Sequence, residues 1–226
     1  AAVPNVIRNS HRVQIRYTSG ALASQTTNKG VTIDGQTFTA RITTASNNAF
    51  PRATFDGSTN WMRMASASGG LGADSETGCM VILGTPLGTF ANKRLYDFNG
   101  GSTGKGLVNF SVSNLWNFNF RNSAATAVIS SGTISGAATA GTITGIAVAF
   151  DLSKSAVGDG LKIFKLSMSG GAIVWTPVTL TGPAWLGGAG HQVNYSKHTA
   201  SAFHNFFRDS AGTTLLNWEH QFWWET

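Results

Sequence analysis

Short apolar runs, many alternating residue by residue with polar ones, recur along this chain with Gly, Ser, Thr and Asn crowded between them. They fall at Arg12–Tyr17, Val31–Ile33, Phe38–Ile42, Trp61–Met64, Cys79–Leu83, Leu95–Phe98, Leu107–Val112 and Leu115–Phe120. Further runs follow at Ala127–Ile129, Thr142–Asp151, Leu161–Met168, Ile173–Val178, Ala202–Phe207 and Trp218–Trp224. A period of two sends successive side chains to opposite faces of a strand, and a short continuous apolar run fits a strand covered on both faces. About fourteen strands are expected, and no segment sustains the 3.6-residue spacing of a helix. Two packed antiparallel sheets are the architecture this pattern predicts.

Composition narrows the picture. Only 12% of residues are charged, roughly half the usual share, which suits a turn-rich β protein. Cys79 is the only cysteine and lies within an apolar run, so no intrachain disulfide can form and a buried, inert thiol is expected. No apolar stretch approaches the roughly 18 residues of a membrane span, and AAVPNVIRNSH lacks the basic start and apolar centre of a signal peptide.

The net charge of +6 is concentrated at one end: residues 1–52 hold Arg8, Arg12, Arg16, Lys29, Arg41 and Arg52 against Asp34 alone. Such asymmetry marks either an assembly arm that meets an acidic surface or the wet face of ordinary strands. Arg12, Gln14 and Arg16 alternate with Val13, Ile15 and Tyr17, as on a strand, and no run of consecutive basic residues points to nucleic acid. Residues 1–45 are expected to form a basic N-terminal arm or added strands ahead of a sandwich over residues 46–226. Deleting them is expected to leave the sandwich folded and to weaken assembly. The segment SGTISGAATAGTITG, from Ser131, is low in complexity and reads as a surface hairpin or mobile loop.

The stretch Ala53-Thr54-Phe55-Asp56-Gly57, followed by Trp61, a Gly- and Ser-rich loop and the core run Cys79–Leu83, resembles the opening of laminin-G-like domains in the concanavalin A-like lectin/glucanase superfamily. The later runs KRLYDFNGG, GLVNFSV, NLWNFNFRN, GIAVAFDLSK and GLKIFKLSMSG resemble that family's antiparallel core strands, so the likeness covers roughly residues 50–210. It implies an all-β, antiparallel jelly-roll β-sandwich. It also raises the question of glycoside hydrolysis, which in the glucanase branch would need Glu-x-Asp-x-x-Glu, since a retaining nucleophile and acid stand about 5 Å apart. Glu76, Glu219 and Glu225 do not lie in that pattern, and a non-enzymatic protein is expected.

Other chemistry is equally thin. Gly100-Gly101-Ser102-Thr103-Gly104 matches a nucleophile elbow only as a string, without the strand-to-helix context, and with Lys105 it fails as a phosphate loop. His191, His198, His204 and His220 cluster in the last part of the chain, away from His11, at spacings that match no zinc motif. No cofactor is expected. Calcium is the metal the resemblance allows, with Asp56, Asp97, Asp151 and Asp159 near predicted turns as oxygen donors, although each is also suited to turn capping.

A binding surface has more support. In WNFNFR, Asn117 and Asn119 alternate with Trp116, Phe118 and Phe120, so one face is aromatic and the other presents amides. With Tyr96, Trp116 and Arg121 as further ligand-binding candidates, an open amide face would hydrogen-bond sugar hydroxyls; a covered or merely wet face would be solubilising. In WEHQFWWET, the neighbours Trp223 and Trp224 point to opposite sides of a strand, leaving one for the core and one to stack on a sugar or a protein. The leading reading is a structural or adhesion protein of a virion, of the kind carried by bacteriophage heads, fibres, tails or baseplates. Its partners would be other virion proteins or its own copies in a homo-oligomer, with a surface glycan as a ligand and neither membrane nor nucleic acid involved. The alternative is an extracellular carbohydrate-binding lectin module.

Overall fold

Every apolar run named above overlaps a strand, and three more strands fall between them. The computed structural model describes residues 13–16, 29–33, 36–41, 43–45, 52–58, 61–65, 76–99, 104–122, 124, 126–169, 172–180, 183–188, 190–193, 203–207, 209 and 215–225, in places by backbone alone. In chain order the strands are β1 Val13–Arg16, β2 Lys29–Ile33, β3 Gln36–Arg41, β4 Thr43–Ala45, β5 Arg52–Asp56 and β6 Trp61–Ala65. Then come β7 Thr77–Pro86, β8 Arg94–Asn99, β9 Gly104–Phe110, β10 Trp116–Arg121, β11 Ala127–Ser130 and β12 Thr144–Asp151. The last are β13 Leu161–Ser169, β14 Ala172–Pro177, β15 Ala184–Trp185, β16 Phe203–Phe206 and β17 Asn217–Glu225. One helical turn, Val157–Gly160, precedes β13.

The strands form two antiparallel sheets. One has eight strands in the order β14-β13-β12-β7-β17-β5-β4, with β1 also on β17; the other has nine, β15-β11-β10-β9-β8-β16-β6-β3-β2. Strand β17 runs along β7 on one side, while its other side is shared, Asn217–His220 lying against β5 and Phe222–Glu225 against β1. A register shift between His220 and Phe222 separates the two halves. Among the described residues of 1–45, β1 and β4 join the eight-stranded sheet and β2 and β3 the nine-stranded one. Within the basic segment, Arg16 sits on β1 opposite Phe222. Arg8 and Arg12 lie outside the described residues.

The core lies between the sheets and is largely aromatic. Strand β10 shows why: its burial alternates strictly, with Trp116, Phe118 and Phe120 buried and Asn117, Asn119 and Arg121 half-exposed. Phe110, Trp116 and Trp218 meet across the two sheets, and Phe55 packs on Phe207 at 4.1 Å. The Trp116 indole N–H donates to Thr144 Oγ1 at 3.3 Å, tying β10 to β12 in the opposite sheet. At the corner after β5, Asp56 accepts the Ser58 N–H at 2.9 Å and Gly57 takes a φ of 73°, a conformation that costs glycine little.

Two expectations change. The low-complexity segment after Ser130 is a packed crossover rather than a mobile loop: its N–H groups at Ser131, Ile134 and Ala138 donate to the carbonyls of Phe118, Trp116 and Asn114, and Ile134 is fully buried. Small residues let the chain track β10 closely while one isoleucine plugs the core. Cys79 was expected to be buried, but it is half-buried, on the face of β7 opposite Met80 and Ile82, whose side chains enter the core.

Lys165, on β13, fastens this crossover by donating to the carbonyls of Ser135 and Gly136. Partial burial pulls its pKa below the usual lysine value of 10.5. The folded state then releases this proton before the unfolded state does. Stability from this group should therefore rise with pH between the lowered pKa and 10.5. The thermal midpoint of the wild type, relative to Lys165→Met, is expected to increase from about pH 8 to about pH 10. A flat or falling difference would contradict it.

Candidate functional site

Because β10 commits its aromatics to the core, its amides lie on the outer face of the nine-stranded sheet. Asn117 stands opposite Asn109 of β9, and Asn119 stands between Ser130 of β11 and Leu107 of β9. The row continues through Leu107 to Asp97 of β8, then to Asn205 of β16 and Arg63 of β6 by register. Antiparallel pairing is what brings these distant sequence positions into line.

The side chains are held. Asn119 Nδ2 donates to Ser130 Oγ at 3.1 Å, and Arg121 Nε donates to Asn119 Oδ1 at 3.3 Å. Asn109 Nδ2 donates to the Phe110 carbonyl at 2.8 Å. Asp97 is only 5% exposed although it points away from the core, and Arg94 approaches it at 4.0 Å. The described part of the face is thus a field of amides with the Ser130 hydroxyl and the Arg94–Asp97 pair, interrupted by register shifts at Phe120/Arg121 and Arg94/Tyr96.

Two expected ligand-binding residues are corrected. Tyr96 and Trp116 are fully buried between the sheets, so neither ring can stack on a ligand; strand alternation fixes both inward. Asn117, Asn119 and Arg121 do share one face. Trp223 and Trp224 lie on β17 opposite Ile82 and Val81, and their side chains are outside the described residues. Asn109 and Ser130 complete the amide field and were missed, because only the register sets them beside Asn117 and Asn119.

The metal expectation finds no gathering of ligands: no group of three His, Cys, Asp or Glu is placed to hold an ion among the described residues. Asp151 caps its turn through Ser153, accepting the hydroxyl at 2.6 Å and the backbone N–H at 3.0 Å. Its pKa is lowered mainly by that hydroxyl. His204 and His220 are on β16 and β17, in different sheets, and His198 lies outside the described residues. Residues 100–103 of the Gly-rich turn are also outside them. A cavity of about 260 Å³ opens beside β13 and β14, lined by Val157, Lys162, Phe164, Pro177, Leu180 and Pro183. The Lys162 ammonium is already held by the Gly158 carbonyl, which leaves this cavity few polar groups to orient a ligand.

The outer face of the eight-stranded sheet differs in character. It carries Val81, Leu83 and Leu166, with Phe164 and Trp175 each 37% exposed toward its β13–β14 edge.

No family model and no curated protein matches the chain. Among solved structures it is similar to domain 4 of AbnA, a GH43 extracellular arabinanase from Geobacillus stearothermophilus in complex with arabinotriose. The identity is 10%, the match covers 81% of this chain and 75% of that one, and the TM-score is 0.44. It is also similar to Trypanosoma rangeli sialidase in complex with 2,3-difluorosialic acid, at 9% identity over 90% of this chain and 29% of that one, with a TM-score of 0.49. Both likenesses are remote, and the architecture described above rests on strand register alone.

Proposed function

We propose that this chain is a non-catalytic glycan-binding module whose ligand surface is the outer face of the nine-stranded sheet around Asn117, Asn119 and Arg121. The carrying observation is the strict alternation of β10, which buries three aromatics and leaves two half-exposed amides fixed beside Asn109 and Ser130. Sugar hydroxyls donate and accept at once, and an amide answers both demands. Side chains already ordered on strands lose little further entropy on binding. Among the described side chains of the face, Arg94 is partnered by Asp97 and Arg121 by Asn119, which suits neutral oligosaccharides better than polyanions. The laminin-G-like, jelly-roll affiliation belongs to the same proposal, supported by the Phe55–Gly57 corner with its Asp56 cap.

A glycan array followed by calorimetry on the full chain tests this. The wild type is expected to bind at least one neutral oligosaccharide, and Asn117→Ala/Asn119→Ala to bind it about tenfold or more weakly, a loss of about 1.4 kcal/mol. The melting temperature should change little, because both side chains are half-exposed. Absence of binding to any neutral glycan, or equal binding by the double variant, would overturn the reading.

A structural role on a particle surface, virion or extracellular, is the second reading. The β13–β14 edge of the eight-stranded sheet favours it, since Phe164 and Trp175 are exposed on one face there and suit a protein contact.

A further inference from the structure

Strand β14 ends the eight-stranded sheet, pairing with β13 on one side and with no described strand on the other. The Val178 N–H donates to the Ile163 carbonyl, which fixes the phase of the ladder: Thr176 and Val174 bond inward to β13. By alternation, the N–H and C=O groups of Ile173 and Trp175 point outward along the open edge. Pro177 closes one end without an N–H.

Natural edge strands are usually blunted by charges, above all lysine. Here no Asp, Glu, Lys or Arg occurs from Leu166 to Ser196, although the chain as a whole carries +6. On the edge itself Val174 is 40% and Trp175 37% exposed, on opposite faces of the strand. The net charge lies mostly in residues 1–52, so the uncharged β14 edge is where two copies can meet without setting like charges against each other.

We infer that β14 pairs antiparallel with β14 of a second copy of this chain, about a two-fold axis at Val174. Ile173 of each copy then exchanges N–H···O bonds with Trp175 of the other, which uses the outward groups of both residues. The eight-stranded sheets become continuous, and the two Trp175 rings are brought to the same face near the axis. The two-fold pairing uses the β14 edge of both copies, so the contact closes as a dimer instead of propagating. This contact is independent of the glycan reading, since it uses the other sheet.

Sedimentation of the full chain over a range of concentrations tests it. The wild type is expected to be a concentration-dependent dimer. Trp175→Lys and, separately, Val174→Lys should weaken the dimer tenfold or more, because each puts like charges together at the axis. Both sites are exposed enough for the monomer to keep its melting temperature, and retained near-ultraviolet circular dichroism would show that it is folded. A wild type that stays monomeric at tens of micromolar, open-ended aggregation, or lysine variants that dimerise as tightly as the wild type would each overturn the inference.

Discussion

Replacing Trp218 by Ala is expected to cost about 3–5 kcal/mol of stability, the range for deleting a buried aromatic. Trp218 is fully buried on β17, its ring 6.0 Å from Phe110, 6.3 Å and edge-on from Trp116, and stacked 6.5 Å from Phe207. Phe110 and Trp116 belong to the opposite sheet, so truncation opens a hole where the two sheets lean on each other. Rings held by their own strands relax into such a hole only in part. The Trp218 indole N–H is buried and finds no acceptor among the described residues. Trp218→Phe removes that unpaired donor, whose burial costs about 1–3 kcal/mol, while keeping most of the apolar volume. The Phe variant should therefore be more stable than the Ala variant by about 2 kcal/mol or more. The midpoint of the Ala variant should fall by about 6–20 °C. Equal losses in the two variants, measured by urea denaturation, would mean that the ring volume is not what matters.

Gly187→Ala should be nearly as damaging, at about 3 kcal/mol. Just after β15, Gly187 lies so close to the Lys154 carbonyl and the Trp185 indole that an added Cβ would overlap both. Gly160 faces the same indole from the helical turn, and its Cβ would overlap the ring and the Asp151 carbonyl. The ring is thus pressed between two bare backbones, with its N–H donated to the Lys154 carbonyl at 3.1 Å. On one side of this segment Leu186 N–H reaches Val128 in the nine-stranded sheet; on the other, Gly188 N–H reaches Leu152 beside the eight-stranded one. It clasps the two sheets along an edge. A methyl at Gly187 must push backbone rather than a flexible side-chain tip, which is why a change of one carbon is expected to rival the loss of a whole indole. A melting temperature within about 2 °C of wild type, under roughly 1 kcal/mol for a chain of this size, would show that the segment can yield.

How far such features could be read beforehand depends on whether they are local. The alternation in WNFNFR is local, and the separation of Asn117 and Asn119 from Trp116 and Phe118 could be read from it directly. Which face meets solvent is a tertiary fact, and Trp116 was assigned to a ligand only because that was open. Asn109 and Ser130 entered the amide field through register, which depends on pairing between runs well separated in the chain. Ile134 shows a different limit: a single isoleucine in a Ser-, Gly- and Ala-rich segment carries no period, so nothing local marks it as a plug. Gly160 and Gly187 look like ordinary turn glycines until Trp185 is placed between them. Of the three strands that no apolar run marked, β4 and β15 have three and two residues, too few to show alternation.

The shared side of β17 has a bearing on how the molecule is made. The strand lies inside the eight-stranded sheet, between β7 and the pair β5 and β1, yet it comes from residues 217–225. As the chain leaves the ribosome, β7 and β5 therefore wait while residues 87–216 are made with the groove between them empty, and β1 waits for the strand it pairs with. Residues 217–225, made after all of these strands, must enter as a wedge, finding β7 on one flank and β5 and β1 on the other. Closure over such sequence distances is slow. A nascent chain stalled before Asn217 would display the flank of β7 to any passing strand, and the cell's chaperones would meet this protein chiefly in that interval.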